Sequence, residues 1–104
     1  MTELQIQRCE RCGTSAFPDR LWCPRCGAGE LRHLPAGPGN VEQETILRRP
    51  PAPAPDADPV RLGTVRLEAG PMVIARLAVG AGPGTRVRLE RVAEGAVWAR
   101  ATPD

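Results

Sequence analysis

The sequence predicts a small, mainly β protein in two parts: an N-terminal unit built round four cysteines, then a five-stranded barrel. Three observations predict it. The four cysteines fall in two matching knuckles, Cys9-Glu10-Arg11-Cys12-Gly13 and Cys23-Pro24-Arg25-Cys26-Gly27. Twelve prolines and eleven glycines among 104 residues cut the chain into short pieces. Those pieces are apolar or alternating runs of strand length, and none reads convincingly as a helix.

The knuckles come first. A Cys-x-x-Cys-Gly turn sets two sulfurs on one side of a tight loop, and its glycine can take the positive φ that follows. Two such turns facing each other form a four-sulfur cage suited to zinc, with Cys9, Cys12, Cys23 and Cys26 as ligands. No cysteine is left over. Other readings compete with zinc. Disulfides need an oxidising compartment, and Met1-Thr2-Glu3-Leu4-Gln5 lacks the basic and apolar segments of a signal peptide, so a cytoplasmic location is expected. Redox chemistry of the thioredoxin kind wants one pair at a helix start. Iron uses the same knuckles, but with wider separation and more aromatics than one Phe and no Tyr. Zinc is preferred. Four thiolates leave no open position for water, so the ion is expected to be structural. His33, the single histidine, is expected on an exposed turn, with a hydrogen bond to sulfur as the alternative.

The ribbon segment, 7–35, is too short for an apolar core of its own, so metal binding and folding should coincide there. Phe17, Leu21 and Trp22 are expected to pack beside the cage. Pro35, Gly37, Pro38 and Gly39 form a breaker cluster that ends this unit. Domains of 1–38 and 39–104 follow.

Beyond the breakers come five strand candidates. Residues 41–47 alternate polar and β-branched types. Segment 50–59 carries five prolines and reads as a stiff extended loop. In 60–68 the apolar parity slips at Gly63-Thr64, as a β-bulge there would cause. Residues 72–79 are the most apolar and should be central. Segment 80–85 is a loop. Residues 86–90 alternate with Val87 and Leu89 inward, and 96–100 carry Trp98. Five strands in about 65 residues is the scale of an OB-fold, a partly open Greek-key barrel; a seven-stranded sandwich fits less well.

The order of knuckles, joint and barrel resembles a two-part family once catalogued as a domain of unknown function: a rubredoxin-like zinc ribbon followed by an OB-fold. The resemblance is carried by the two knuckles, by Phe17-Pro18-Asp19-Arg20 between them, and by barrel segments 59–68, 70–77 and 86–90. It implies a non-catalytic partner of acyl-CoA enzymes: thiolases, thiolase-like acyltransferases, hydratases or aldolases of lipid and polyketide metabolism. Such partners bridge subunits or help hold the CoA or acyl-carrier end of the substrate. Members usually carry helical residues ahead of the ribbon, whereas Cys9 comes early here, and segment 80–85 is compressed.

Composition bounds the alternatives. The formal charge is +2, and all fourteen basic residues are Arg. A zinc with four thiolates brings the total close to neutral, unlike a typical nucleic-acid binder. An OB-fold that grips single strands also wants aromatic platforms, and this barrel offers Trp98 alone. Nucleic acid is therefore the second reading. No apolar run approaches a membrane span. Independent catalysis lacks a nucleophile with a partner; the carboxylate pairs Glu42/Glu44 and Asp56/Asp58 fall on a strand and in the loop. Arg61, Arg66, Arg76, Arg86, Arg88 and Arg100 lie on strands, where the guanidinium fork suits phosphate or carboxylate. Arg61, Arg76 and Arg88 are the candidate ligand contacts, and solvated strand faces are the plain alternative.

Overall fold

The computed structural model describes residues 2–47, 60–93 and 95–102, all in strands, turns and loops. Nine strands follow in chain order: β1 (Thr2–Glu3), β2 (Gln5–Cys9), β3 (Ser15–Ala16), β4 (Leu31–Pro35), β5 (Pro38–Leu47), β6 (Val60–Leu67), β7 (Met72–Leu77), β8 (Arg86–Arg91) and β9 (Val97–Ala101). β3, β2 and β4 form the antiparallel ribbon sheet. The other strands run in the order β1-β8-β5-β6-β7-β9, and β8 also pairs with β9. β5 to β9 therefore close into the expected five-stranded barrel.

Alternation builds the core. Val41, Gly63, Val65, Leu67, Val73, Ala75, Leu77, Val87, Leu89 and Ala99 are all buried. Each occupies the inward parity of its strand. Two inward glycines allow close approach. A Cβ on Gly39 would lie 2.7 Å from the Arg66 carbonyl oxygen, and one on Gly63 would lie 2.7 Å from Leu77 Cδ2.

The ribbon and the barrel share this core. Leu4 and Ile6, 1% and 0% exposed, belong to the barrel's apolar cluster together with Ala36. β1 pairs with β8 through Thr2↔Arg91 and Glu3↔Glu90, taking over where β5 leaves that strand's edge. The Leu4 amide donates to the Leu89 carbonyl at 3.1 Å, and the Ala36 amide donates to the Leu4 carbonyl at 2.8 Å.

Several expectations need correction. The bulge is not at Gly63-Thr64: the register shifts in β5, between Val41 and Gln43, leaving Glu42 as the extra residue. The slip of parity in 60–68 arises because Val60 and Leu62 face outward and are only half-buried. The first barrel strand starts at Pro38 rather than Val41, inside the breaker cluster, with Gly37 at φ 74° between it and the end of β4 at Pro35. β7 has no central place in a closed ring; its outward side exposes Met72 and Ile74. Phe17 packs on the barrel cluster rather than beside the cage, while Leu21 and Trp22 are exposed. His33 lies on β4, and its Nε2 meets Asp19 Oδ2 at 3.0 Å instead of a sulfur. The segment 50–59, with Asp56 and Asp58, lies outside the described residues.

Candidate metal centre and contact faces

The two knuckles are near copies. Gly13 and Gly27 both sit at φ 80°, a conformation that other residues rarely adopt. Each lets its amide return to the carbonyl of the first cysteine, Gly13 to Cys9 at 3.0 Å and Gly27 to Cys23 at 2.9 Å. The turn aims further amides at sulfur. Arg11 and Cys12 donate to Cys9 Sγ at 3.4 and 3.5 Å; Arg25 and Cys26 donate to Cys23 Sγ at 3.4 and 3.5 Å. Cys9 and Cys23 are buried, and Cys12 and Cys26 are exposed.

All four sulfurs lie within 4.8 Å of one another. The Cys9–Cys26 and Cys12–Cys23 separations are both 3.6 Å. A tetrahedron of sulfurs about 2.3 Å from a central ion has edges of about 3.8 Å, so the cage fits zinc in size and donor type. Its electrostatics point the same way. Thr14, through its hydroxyl and its backbone, pulls Cys12 down to about 6. The Ala28 backbone pulls Cys26 down too, but burial and the three neighbouring sulfurs outweigh it and push that thiol up to about 11. Thiols this close share hydrogen bonds, so one ionises easily at another's expense, and a divalent cation at the centre would let all four carry charge. Ala28 and Leu31 are the apolar neighbours of Cys9 and Cys23.

The loop between the knuckles is tied at three points. Phe17 packs on the barrel cluster. Gln7, a buried polar side chain, accepts from the Arg20 amide at 2.6 Å and donates to the Arg20 carbonyl at 3.2 Å. Asp19 holds His33. The residues that follow, Leu21 and Trp22, are 85% and 62% exposed. A tethered loop thus displays two large apolar side chains to solvent.

The strand arginines separate into different roles. Arg61 turns into the barrel mouth, where Nε donates to Glu44 Oε1 at 2.6 Å and Nη2 to the Ala81 carbonyl at 3.0 Å. Arg66 faces Glu42 at 3.8 Å, Arg86 faces Glu68 at 2.7 Å, Arg88 faces Glu3 at 3.7 Å and Arg100 faces Glu90 at 3.1 Å. Arg76 instead lies over the Trp98 ring, 5.8 Å from its centroid. Arg61 and Arg76 line one cleft; Arg88 lines another, beside Thr2 and Glu3.

The Arg61 hydrogen bond holds the Glu44 carboxyl below its usual range. A depressed carboxylate contributes stability that is complete above its unfolded pKa, about 4.3, and is lost as pH falls through the folded value. Glu44→Gln should therefore lower Tm by several degrees at pH 7. The gap to the parent should shrink as the melting buffer is taken from pH 5 towards pH 3; a gap that does not change with pH would remove the pair's role.

The pattern described as the rubredoxin-like zinc ribbon domain of ChsH2 matches residues 3–32. The pattern of the ChsH2 C-terminal OB-fold domain matches residues 33–92, more than half of the chain. The chain belongs to the ChsH2 family. Relatives include a DUF35 domain-containing scaffold protein of Pyrococcus furiosus, 37% identical over 85% of this chain and 60% of the relative. A second DUF35 domain-containing scaffold protein, from Methanothermobacter thermautotrophicus, is 31% identical over 67% of this chain and 54% of its own length. The chain thus spans between half and two thirds of these curated relatives. The solved structure of an Ltp2–ChsH2(DUF35) aldolase superposes with a TM-score of 0.74 and 27% identity, covering 95% of this chain and 84% of that one. The matched ribbon precedes the matched OB-fold along this chain, and the ribbon brings four cysteines together. No helix among the described residues is long and apolar enough to cross a membrane.

Proposed function

We propose that this chain is a non-catalytic accessory subunit of an acyl-CoA or acyl-carrier enzyme complex, with a thiolase-like acyltransferase, hydratase or aldolase as its partner. One zinc, held by Cys9, Cys12, Cys23 and Cys26, is structural in this reading. The CoA or acyl-carrier arm of the substrate passes close to the subunit, and the complex is cytoplasmic.

The observation that carries the reading is the tethered loop. Exposed Leu and Trp on a fixed scaffold are costly to leave in water and typical of the anchors that dominate interfaces. The remaining chemistry supports a helper role. His33 is engaged by Asp19, and Glu42 and Glu44 are engaged by arginines. With the sulfurs on a metal, the described residues offer no poised nucleophile and base. Relatives bear the name scaffold protein, and a structural neighbour is part of an aldolase.

Co-expression with a thiolase-like or aldolase protein encoded beside this chain tests the proposal. A stable complex is expected, and Leu21→Ser with Trp22→Ser should weaken it by roughly thirtyfold or more, the scale of an interface anchor. Wild-type affinity in the double variant would remove the loop from the interface. An isolated chain that turns over substrate would overturn the accessory role. Tight, salt-sensitive oligonucleotide binding would favour the nucleic-acid reading instead.

A further inference from the structure

The outer face of the barrel between β6, β7 and β9 carries a feature that the accessory role does not need. Leu62, Arg76 and Trp98 pair across the three strands in one row, so their side chains share the outward side. All three are half-buried. Beside them opens a cleft of about 440 Å³, walled by Val60, Leu77 and Val79 as well as Arg76 and Trp98. Val79 stands on it 99% exposed. The volume falls within the ordinary range of small-molecule sites, about 300–1,000 Å³.

Arg76 is the unusual member. Arg61, Arg66, Arg86, Arg88 and Arg100 each face a carboxylate, and among the described residues Arg76 faces none. Its contact is the indole face of Trp98, which Arg100 also approaches, at 6.0 Å. Stacking on an aromatic ring fixes the plane of a guanidinium while leaving its N–H edge available. That edge takes carboxylate or phosphate oxygens in pairs. A half-buried cation without a carboxylate, set against apolar walls, is complementary to a ligand that brings both missing parts.

We infer that this cleft binds a small organic anion, a phosphate or carboxylate carried on a planar or apolar body, with Arg76 gripping the charge and Trp98, Val60 and Val79 bordering the body. Arg61 also lines the cleft but is committed to Glu44 and to the Ala78 and Ala81 carbonyls. The inference does not depend on the identity of any partner enzyme, and its test uses the chain alone, so either reading can fail without the other.

The chain has two tryptophans, which makes Trp98 a reporter. In the Trp22→Phe variant, titration with phenyl phosphate or benzoate should change Trp98 emission saturably, the tighter of the two identifying the charged group. Arg76→Gln should weaken binding at least tenfold, whereas Arg32→Gln, on the ribbon, should not. Phenol and inorganic phosphate should each bind at least tenfold more weakly than the better anion. In the unaltered protein, phenyl phosphate should move the indole N–H resonance of Trp98 and leave that of Trp22 in place, a readout that holds even where Arg76→Gln folds poorly. The inference is overturned if neither anion saturates, if phenol binds as well, if inorganic phosphate binds as well (an adventitious ion only), if a folded Arg76→Gln binds like the parent, or if the Trp22 resonance alone responds.

Discussion

Cys23→Ser should yield a chain without bound metal and with an unfolded ribbon, against about one zinc per chain in the parent. Cys23, like Cys9, is one of the two buried ligands. Its sulfur accepts the Arg25 and Cys26 amides, and its own amide donates to the Ala28 carbonyl at 2.7 Å. Among the described residues, the apolar packing around the buried ligands Cys9 and Cys23 amounts to Ala28 and the partly buried Leu31. No apolar core can replace the ion. Structural zinc in small ribbons contributes about 10–16 kcal/mol, whereas whole domains are stable by about 5–15 kcal/mol. Metal content by elemental analysis and amide exchange across 9–31 would measure the effect. Iron in the parent, or a well-ordered ribbon without metal, would overturn the zinc assignment. Acid should act as the substitution does, because every ligand must give up a proton to bind, so metal is released as pH falls.

Leu4→Ala should cost about 2–5 kcal/mol, the range for a large aliphatic side chain removed from a close-packed core. In a domain of this size that lowers Tm by roughly 8 °C or more. The effect should reach both parts of the molecule. Leu4 lies in the N-terminal segment yet is 1% exposed inside the barrel cluster, with backbone bonds to Leu89 and Ala36. We propose that 1–38 and 39–104 are modules of the sequence that melt as one unit. Circular dichroism should therefore follow the same curve as the separate emissions of Trp22 and Trp98, read in variants that keep one indole each. Two resolved transitions, or an unchanged Tm in Leu4→Ala, would disprove the shared core.

The knuckles were readable because their chemistry is local: four residues and a glycine fix each turn whatever surrounds it. Val87 and Leu89 were readable because a two-residue period shows which side is wet. What failed was non-local. Phe17, Leu21 and Trp22 look alike in composition, and only the tertiary path sends one onto the barrel and leaves the others in solvent. Leu4 stands just before the ribbon strand β2 and Ile6 lies within it, and nothing nearby in sequence says that both pack into the barrel's apolar cluster. A slip of parity in 60–68 looks the same whether that strand bulges or merely turns apolar residues outward, so the sequence does not say which strand of the pair carries the bulge. In sequence Arg61 looks like the other strand arginines, since its engagement with Glu44 and the Ala78 and Ala81 carbonyls depends on where the chain after β7 runs. Gln7 carried one faint signal: it shares its strand parity with the ligand Cys9.

The ties on residues 17–20 also bear on how recognition proceeds. A flexible loop must surrender conformational freedom when it is captured, and that entropy weakens the grip. Here Gln7, His33 and the barrel surface impose order during folding, before any encounter. A molecule that meets Leu21 and Trp22 therefore meets a finished relief, in the manner of a key cut in advance, and docking should leave the backbone of this chain nearly unmoved.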